Sequence, residues 1–361
     1  MLNKDKIRVL VVDDSALVRK ILSDLLNQDP DIEVVGTASD GSFVLRKMDA
    51  LKPHVVTLDV EMPHKGGLEL LPELMAKYPV PVIMVSGVTE RGAVATIKAL
   101  ELGAVDFVTK PSAGVAEGMQ TIASGLIEKI KAVVGAKLRP RFQPHPTPPP
   151  RITLPPLPPV RAGAGAGGTV IGLGASTGGT EALKDVLVAL PKGLPPVVIV
   201  QHMPEGFTRA FANRLNGLTS LEVKEAEDHE PLESGKALIA PGHSHLVVKR
   251  SGAGYVATLN QSDPVMRHRP SVDVLFHSLA CEAGERSIGV IMTGMGADGA
   301  RGLAQMHQVG SRTIAQDEQT CVVFGMPKEA IQMGGVDQIL PLQKIADAIV
   351  NLVQNRSYRS V

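Results

Sequence analysis

The pattern of apolar and polar positions opens on a buried-strand run, IRVLVV (7–12), which ends in Asp13-Asp14. Leu17, Val18, Ile21, Leu22, Leu25 and Leu26 then recur at helical spacing. That pair predicts a strand followed by an amphipathic helix. The unit repeats: EVVGT (33–37), HVVTLD (54–59), PVIMVSG (81–87) and AVDFVTKP (104–111) are further strand runs, with helical stretches between them. Strands alternating with helices predict an α/β domain over 1–135, with a parallel five-stranded doubly wound sheet.

A second α/β pattern fills 169–361. TVIGLGAS (169–176), PVVIVQH (196–202) and SIGVIMTG (287–294) read as strands. Ala182, Leu183, Val186, Leu187 and Leu190 mark one face of a helix after the first of them. Between about 220 and 262 the runs shorten and alternate, as in VKEA, ALIAP, HLVVK and YVATL. The expectation is a mostly parallel sheet with an antiparallel β-hairpin region added. The two patterns are separated by 136–168. There, ten of the twenty residues from Pro140 to Pro159 are proline, and RAGAGAGG follows. Such a stretch cannot bury a core and predicts an interdomain linker.

Composition narrows the function classes. Lys+Arg and Asp+Glu both number 37, so no global positive field exists to hold nucleic acid or an anionic membrane. Aromatics are 3% and Trp is absent, against base-stacking surfaces. Cys281 and Cys321 are the only cysteines, too few for a disulfide framework or a zinc site. They read as small hydrophobes. No apolar run approaches the ~18 residues of a membrane span, and the first residues lack a signal-peptide pattern. A cytoplasmic protein, not inserted in a membrane, is expected.

Function in open parallel sheets gathers at the carboxyl ends of the strands. In the first segment those ends supply Asp13, Asp14, Asp59, Ser86 and Lys110. Crowded carboxylates repel, and a hard cation such as Mg²⁺ relieves this through oxygen ligands. An aspartate can also accept a phosphoryl group, while a lysine and a hydroxyl hold its oxygens. For Asp14 alone, a helix-capping role competes with this reading.

In the second segment, Gly174-Ala175-Ser176-Thr177-Gly178 fits G-x-S-x-G at a strand-to-helix junction. His202 ends the next strand and can reach Ser176 as its base. Asp298, in MTGMGADG, can orient the imidazole. Backbone N–H groups of Thr177 and Met295 are oxyanion candidates. Spacing alone leaves three readings open: a hydrolase triad, a phosphate- or nucleotide-binding turn, and structural glycines. Thr177 stands at the third-glycine position of the strict dinucleotide pattern, against a nucleotide. His229, His243, His245, His268 and His277 read as surface or core histidines. His243-x-His245 is a weak metal hint, and Arg267 and Arg269 read as solvated or ion-paired.

VLVVDDS (9–15), LDVEMP (58–63), MVSG (84–87) and LGAVDFVTKP (102–111) together resemble a response-regulator receiver domain, over 7–132. The resemblance implies a flavodoxin-like fold and phosphorylation of Asp59 by a histidine kinase. It implies Mg²⁺ on Asp14, Asp59 and the Glu61 carbonyl, with Asp13 acting through water, and Ser86 and Lys110 on the phosphoryl group. Gly66 departs from the family pattern, where an acid commonly precedes the glycine. IGLGASTGGTEAL (171–183), QHMPEGFTRAFANRLN (201–216), RHRPSVDVLFHS (267–278), MTGMGADGARG and CVVFGMPKEAI (321–331) resemble the chemotaxis protein-glutamate methylesterases of CheB type, over 169–353. This implies glutamate methyl esters on methyl-accepting chemotaxis receptors as substrate, receptor glutamines as a second substrate, and no metal for ester hydrolysis. It also implies an unphosphorylated receiver that covers the catalytic cleft. A phosphorylation-controlled, non-catalytic binding module is the rival expectation.

Overall fold

A computed structural model describes residues 6–62, 66–110, 115–134 and 168–359. The expected linker lies outside the described residues except for Gly168, as do residues 63–65 of the motif next to Gly66. The chain divides into two compact units, Met1–Pro144 and His145–Val361.

In the first unit, β1 (Ile7–Val12), α1 (Ala16–Leu26), β2 (Ile32–Ala38), α2 (Gly41–Leu51) and β3 (Val55–Asp59) alternate. The order continues with α3 (Gly67–Lys77), β4 (Val82–Ser86), α4 (Glu90–Glu101), β5 (Asp106–Thr109) and α5 (Val115–Val133). All five strands run parallel in the order β2-β1-β3-β4-β5. β3 and β4 are buried at every residue, as strands covered on both faces must be. Local chemistry sets the helix starts. Ser15 accepts the Val18 N–H ahead of α1, and Asp40 accepts the Ser42 N–H ahead of α2. α3 begins without a side-chain cap because Gly66 has none to offer. Gly67 lets that helix start against the end of β3, where a Cβ would lie 2.3 Å from the Asp59 carbonyl oxygen.

The second unit runs β6 (Val170–Ala175), α6 (Gly179–Ala189), β7 (Val197–Gln201), α7 (Phe207–Asn216), β8 (Glu222–Glu225), β9 (Glu230–Pro231) and β10 (Lys236–Ile239). It continues with β11 (His245–Ser251), β12 (Gly254–Asn260), α8 (Val272–Glu282), β13 (Ser287–Ile291) and α9 (Ala300–Gln308). It closes with β14 (Arg312–Gln316), α10 (Met326–Gln332), β15 (Gln338–Leu340) and α11 (Leu342–Arg359). Seven strands form a parallel sheet in the order β15-β14-β13-β6-β7-β10-β8. β11, β12 and β9 form a separate antiparallel sheet.

The expected fold class is met, with one local difference. The runs VKEA and ALIA, read as part of the antiparallel region, are β8 and β10 on the parallel sheet. The pattern of β8 reports exposure and not direction, and β10 is a short run buried from Ala237 to Ile239 between β7 and β8. β8 is the sheet edge and buries only Val223. An edge strand of a parallel sheet then looks like a strand of a one-sided antiparallel sheet.

At the centre, α8 lies directly on β6. A Cβ at Gly172 would sit 2.4 Å from Leu279 Cδ1, and one at Gly174 would sit 2.3 Å from Val272 Cγ1. These two glycines therefore serve close helix–strand packing, which accounts for the part of the dinucleotide pattern that they supplied. Phe276, Leu275, Leu303 and Met306 fill the core around this contact. Among the described residues, no helix is long and apolar enough to cross a membrane.

Candidate functional site

The parallel sheets place chemistry at their carboxyl ends in both units. In the first, Asp13 follows β1, Asp59 ends β3, Ser86 ends β4 and Lys110 follows β5. Lys110 Nζ lies 2.7 Å from Asp59 Oδ2 and 2.8 Å from Asp13 Oδ2. Carboxylate oxygens of Asp13, Asp14 and Asp59 all come within 4.8 Å of one another, with Asp14 the exposed member. Burial pushes the Asp59 carboxyl up to about 6, against the downward pull of the Lys110 hydrogen bond and charge. For Lys110, burial opposes the charge, but the hydrogen bonds to Asp13 and Asp59 outweigh it and raise its pKa.

One ammonium against three carboxylates leaves surplus negative charge, and the donor set is entirely oxygen. That fits a hard divalent cation such as Mg²⁺. Ser15 N–H donates to Asp13 Oδ1 at 2.9 Å, and Glu61 N–H donates to Asp59 Oδ1 at 3.3 Å. Arg19 donates to the carbonyls of Asp13 and Asp14, fixing the turn that carries both acids. The Ser86 hydroxyl donates to the Gly92 carbonyl in α4, so this residue ties the acceptor edge to that helix.

In the second unit, Ala175 of β6 pairs with Gln201 of β7, and the next residues are Ser176 and His202. The nucleophile and base candidates therefore leave adjacent strand ends in register. Ser176 N–H donates to the Thr293 carbonyl, and its own carbonyl accepts from Gly179 N–H at 2.7 Å. The turn into α6 passes through Gly178 at φ 75°, where a Cβ would lie 2.6 Å from Val322 Cβ. Ser176 thus stands just before a helix N-terminus, whose partial positive charge favours a developing oxyanion. Thr177 is buried in this turn, and the Thr293 hydroxyl donates to its carbonyl. Met295 is half-buried beyond β13, next to Gly294.

His202 Nε2 lies 2.7 Å from Asp298 Oδ2. Asp298 is buried and also accepts the Ser271 hydroxyl at 2.6 Å, the Val272 N–H at 2.7 Å and the Asp273 N–H at 3.1 Å. Burial disfavours its charge, but His202, Ser271 and Val272 outweigh that and hold the carboxyl below its usual range. The last three donors belong to the start of α8, so the helix end also supports the anion. An ionised Asp298 keeps the Nε2 proton and leaves Nδ1 as the basic nitrogen. His202 Nδ1 is buried and has no hydrogen-bond partner among the described residues. Ser176 and His202 are therefore neighbours that are not hydrogen-bonded to each other in this structure.

The sequence pattern reveals neither Ser271, whose hydroxyl holds Asp298, nor His268 as a member of this site. The His268 ring stacks on the His202 ring at 3.8 Å between centroids and 9° between planes. Sequence alone makes His268 a surface or core histidine, because nothing in the polar run RHR signals a stacking partner. The other histidines behave as expected. His245 is buried, with Nδ1 accepting the Ser271 N–H and Nε2 on the Asp263 carbonyl. Both ring nitrogens are thereby committed, which removes the metal hint at His243-x-His245. His229 is exposed beside Asp228, and His277 meets Gln305. Arg269 donates to the carbonyls of Gln261 and Ser262.

Comparison with known proteins gives a concordant result in each unit. Residues 9–122 match the response regulator receiver domain family, and residues 171–349 match the CheB methylesterase family. A protein-glutamate methylesterase/protein-glutamine glutaminase of Cupriavidus metallidurans is 52% identical over 345 residues, covering 96% of this chain and 95% of that one. One of Pseudomonas aeruginosa, with the same name, is 51% identical over 353 residues, covering 97% and 98%. The crystal structure of the Thermotoga maritima CheB methylesterase catalytic domain is 42% identical, with a TM-score of 0.50, covering 51% of this chain and 98% of that one. On these matches, and with both strand-end clusters in place, the chain belongs to the CheB methylesterase family, a receiver domain joined to a methylesterase domain.

Proposed function

We infer that this chain is a receiver-controlled hydrolase that removes methyl groups from glutamate methyl esters of chemoreceptors and deamidates receptor glutamines. The observation that carries the reading is the buried Asp298–His202 pair beside Ser176, on register-matched strand ends of a fold shared with the methylesterases.

The chemistry follows from which ring nitrogen is committed. Asp298 accepts the Nε2 proton, so Nδ1 is the base that takes the Ser176 hydroxyl proton as the oxygen attacks the ester carbonyl. The same nitrogen then delivers the proton to the departing methanol. Water activated by His202 releases the acyl group and restores the serine. A glutamine follows the same course with ammonia as the leaving group. Asp298, anionic among four donors, stabilises the imidazolium formed in each half-reaction. General-base help is worth about 10²- to 10⁴-fold in rate. N–H groups of Thr177 and Met295 are the oxyanion donors of this reading, since Thr177 follows Ser176 in its turn and Met295 follows Gly294, where a Cβ would lie 2.8 Å from Ser176 Cβ. The ester chemistry needs no metal on this account.

In the first unit Asp59 is the phosphoryl acceptor, and the donor is a chemotaxis histidine kinase. Asp13, Asp14, Asp59 and the Glu61 carbonyl would hold Mg²⁺, which supplies charge neutralisation for the transferring group. Lys110 moves from the free carboxylates to the phosphoryl oxygens, and Ser86 offers its hydroxyl. A phosphoryl group adds about two negative charges, enough to bias the strand-end loops and the helix tied to Ser86. The site of action is the cytoplasm, where the receptors present their methylated helices.

The test is phosphodonor stimulation of methanol release from methylated receptor fragments in the presence of Mg²⁺. Asp59→Asn abolishes the stimulation on this reading. A variant that still responds fully to the phosphodonor would overturn the acceptor assignment.

A further inference from the structure

Gln201 is the last residue of β7 and is buried, 3% exposed. An amide buried at a strand end, with no charge to satisfy, needs a reason. Its Nε2 donates to the Ser176 carbonyl at 2.9 Å and to the His202 carbonyl at 3.3 Å. The two N–H bonds of one planar amide thus reach the main chains of the nucleophile and the base. The amide oxygen is buried and has no hydrogen-bond partner among the described residues. It lies against Gly179, the first residue of α6, where a Cβ would stand 2.2 Å from it. Gly179 is therefore the residue that admits the amide, and the positive end of α6 faces the oxygen.

A buried amide oxygen without a partner costs free energy, because its desolvation is not repaid by a hydrogen bond. Sequence alternatives without that cost exist, since Met matches the length of Gln and buries readily. The retained amide points to the work done by its other end.

We propose that Gln201 is a positioning residue, whose amide clamps the Ser176 and His202 main chains together and sets the approach of the hydroxyl to Nδ1. The proposal rests on the Ser176–His202 assignment. The register pairing of β6 and β7 ends at Ala175 and Gln201, so the ladder's last bond here is His202 N–H to the Ala175 carbonyl, at 3.2 Å. Beyond it, the clamp is the side-chain link between the two chain segments. A displacement of about 1 Å in such a pair costs on the order of 10²-fold in rate.

The experiment uses the full chain with Gln201→Met and Gln201→Glu, reading kcat and KM for methanol release from a methylated receptor fragment, with circular-dichroism melting alongside. Met keeps length and removes both donors. Glu keeps shape and sets an acceptor against two carbonyls. The expected result is a kcat lower by about 10- to 100-fold, with KM within about twofold of wild type, in variants that melt cooperatively. Wild-type kcat in folded variants overturns the proposal, and so does a change confined to KM. Failure of both variants to fold also overturns it, because Gln201 would then be a core residue first. No methanol release from the wild type itself would instead reject the methylesterase reading on which the proposal stands.

Discussion

At the scale of single residues, the second-unit site is organised around one committed nitrogen. Asp298 receives four donors and is buried, so it is anionic and immobile. Asp298→Asn presents an amide to donors that expect an acceptor, and it disturbs the His202 tautomer. Methanol release should fall by about 10²- to 10⁴-fold, and a loss below tenfold would contradict the role. His268 meets the same imidazole face-on. Ring stacking is worth about 0.5–1.5 kcal/mol, so His268→Ala should lower kcat/KM by roughly 2- to 12-fold and His268→Phe should restore most of it. Equal losses in both variants would show that the ring face is not what matters.

Asp59 carries the opposite electrostatics. Its folded pKa is about 6 against an ordinary value of 3.8, so the folded chain holds a proton that the unfolded chain releases. The protonated form is therefore favoured by folding, and stability rises as pH falls from above 6 toward 3.8. Above that window the buried carboxylate is a cost, bounded at about 3 kcal/mol by ~1.4 kcal/mol per pH unit. In EDTA at pH 7.5, Asp59→Asn should stabilise the first unit by about 1–3 kcal/mol in denaturant titration. A destabilised variant would mean that the Lys110 pair outweighs burial.

At the scale of elements, strands such as β1, β3, β4, β6, β7 and β13 were readable because burial on two faces leaves continuous apolar runs, and α1 and α6 because apolar residues recur at helical spacing. The placement of Ser176 and His202 after adjacent strand ends, and the meeting of His202 with Asp298, were readable from the strand-end pattern and the glycine-rich loop that follows β13. The direction of β8 and β10 was not, since alternation in β8 encodes exposure alone and the four residues of β10 are too short a run to tell a parallel strand from an antiparallel one. β14 and β15 were also missed: β14 has only Ile314-Ala315 as an apolar core between polar residues, and β15 is three residues long. The glycines of β6 carried an ambiguous signal, because the same residue type serves nucleotide turns and close helix packing. Gly294 shows how tightly the elements meet at the site: a Cβ there would lie 2.2 Å from Met326 Sδ and 2.8 Å from Ser176 Cβ. Gly294→Ala should therefore destabilise the second unit by about 1–3 kcal/mol and displace Ser176. Thermal melting and methanol release on one preparation check this, and an active, unshifted variant would contradict it.

At the scale of the whole molecule, two α/β units use one rule for two chemistries. Each gathers its reactive groups where parallel strands end, one as crowded carboxylates and the other as a serine, an imidazole and an aspartate. The zero formal net charge fits a chain whose chemistry is gathered at strand ends and not spread across a charged surface. Cysteine chemistry has little part in the second unit's core: burial pushes the Cys321 thiol up to about 12. A thiol reagent should label exposed Cys281 in the folded chain and leave Cys321 unmodified until unfolding. The most direct measurement is methanol release from methylated receptor fragments by the wild type and Ser176→Ala, each with and without a small phosphodonor and Mg²⁺. The account predicts release that rises with phosphodonor in the wild type and is absent from Ser176→Ala under both conditions. Release that persists in Ser176→Ala would contradict it.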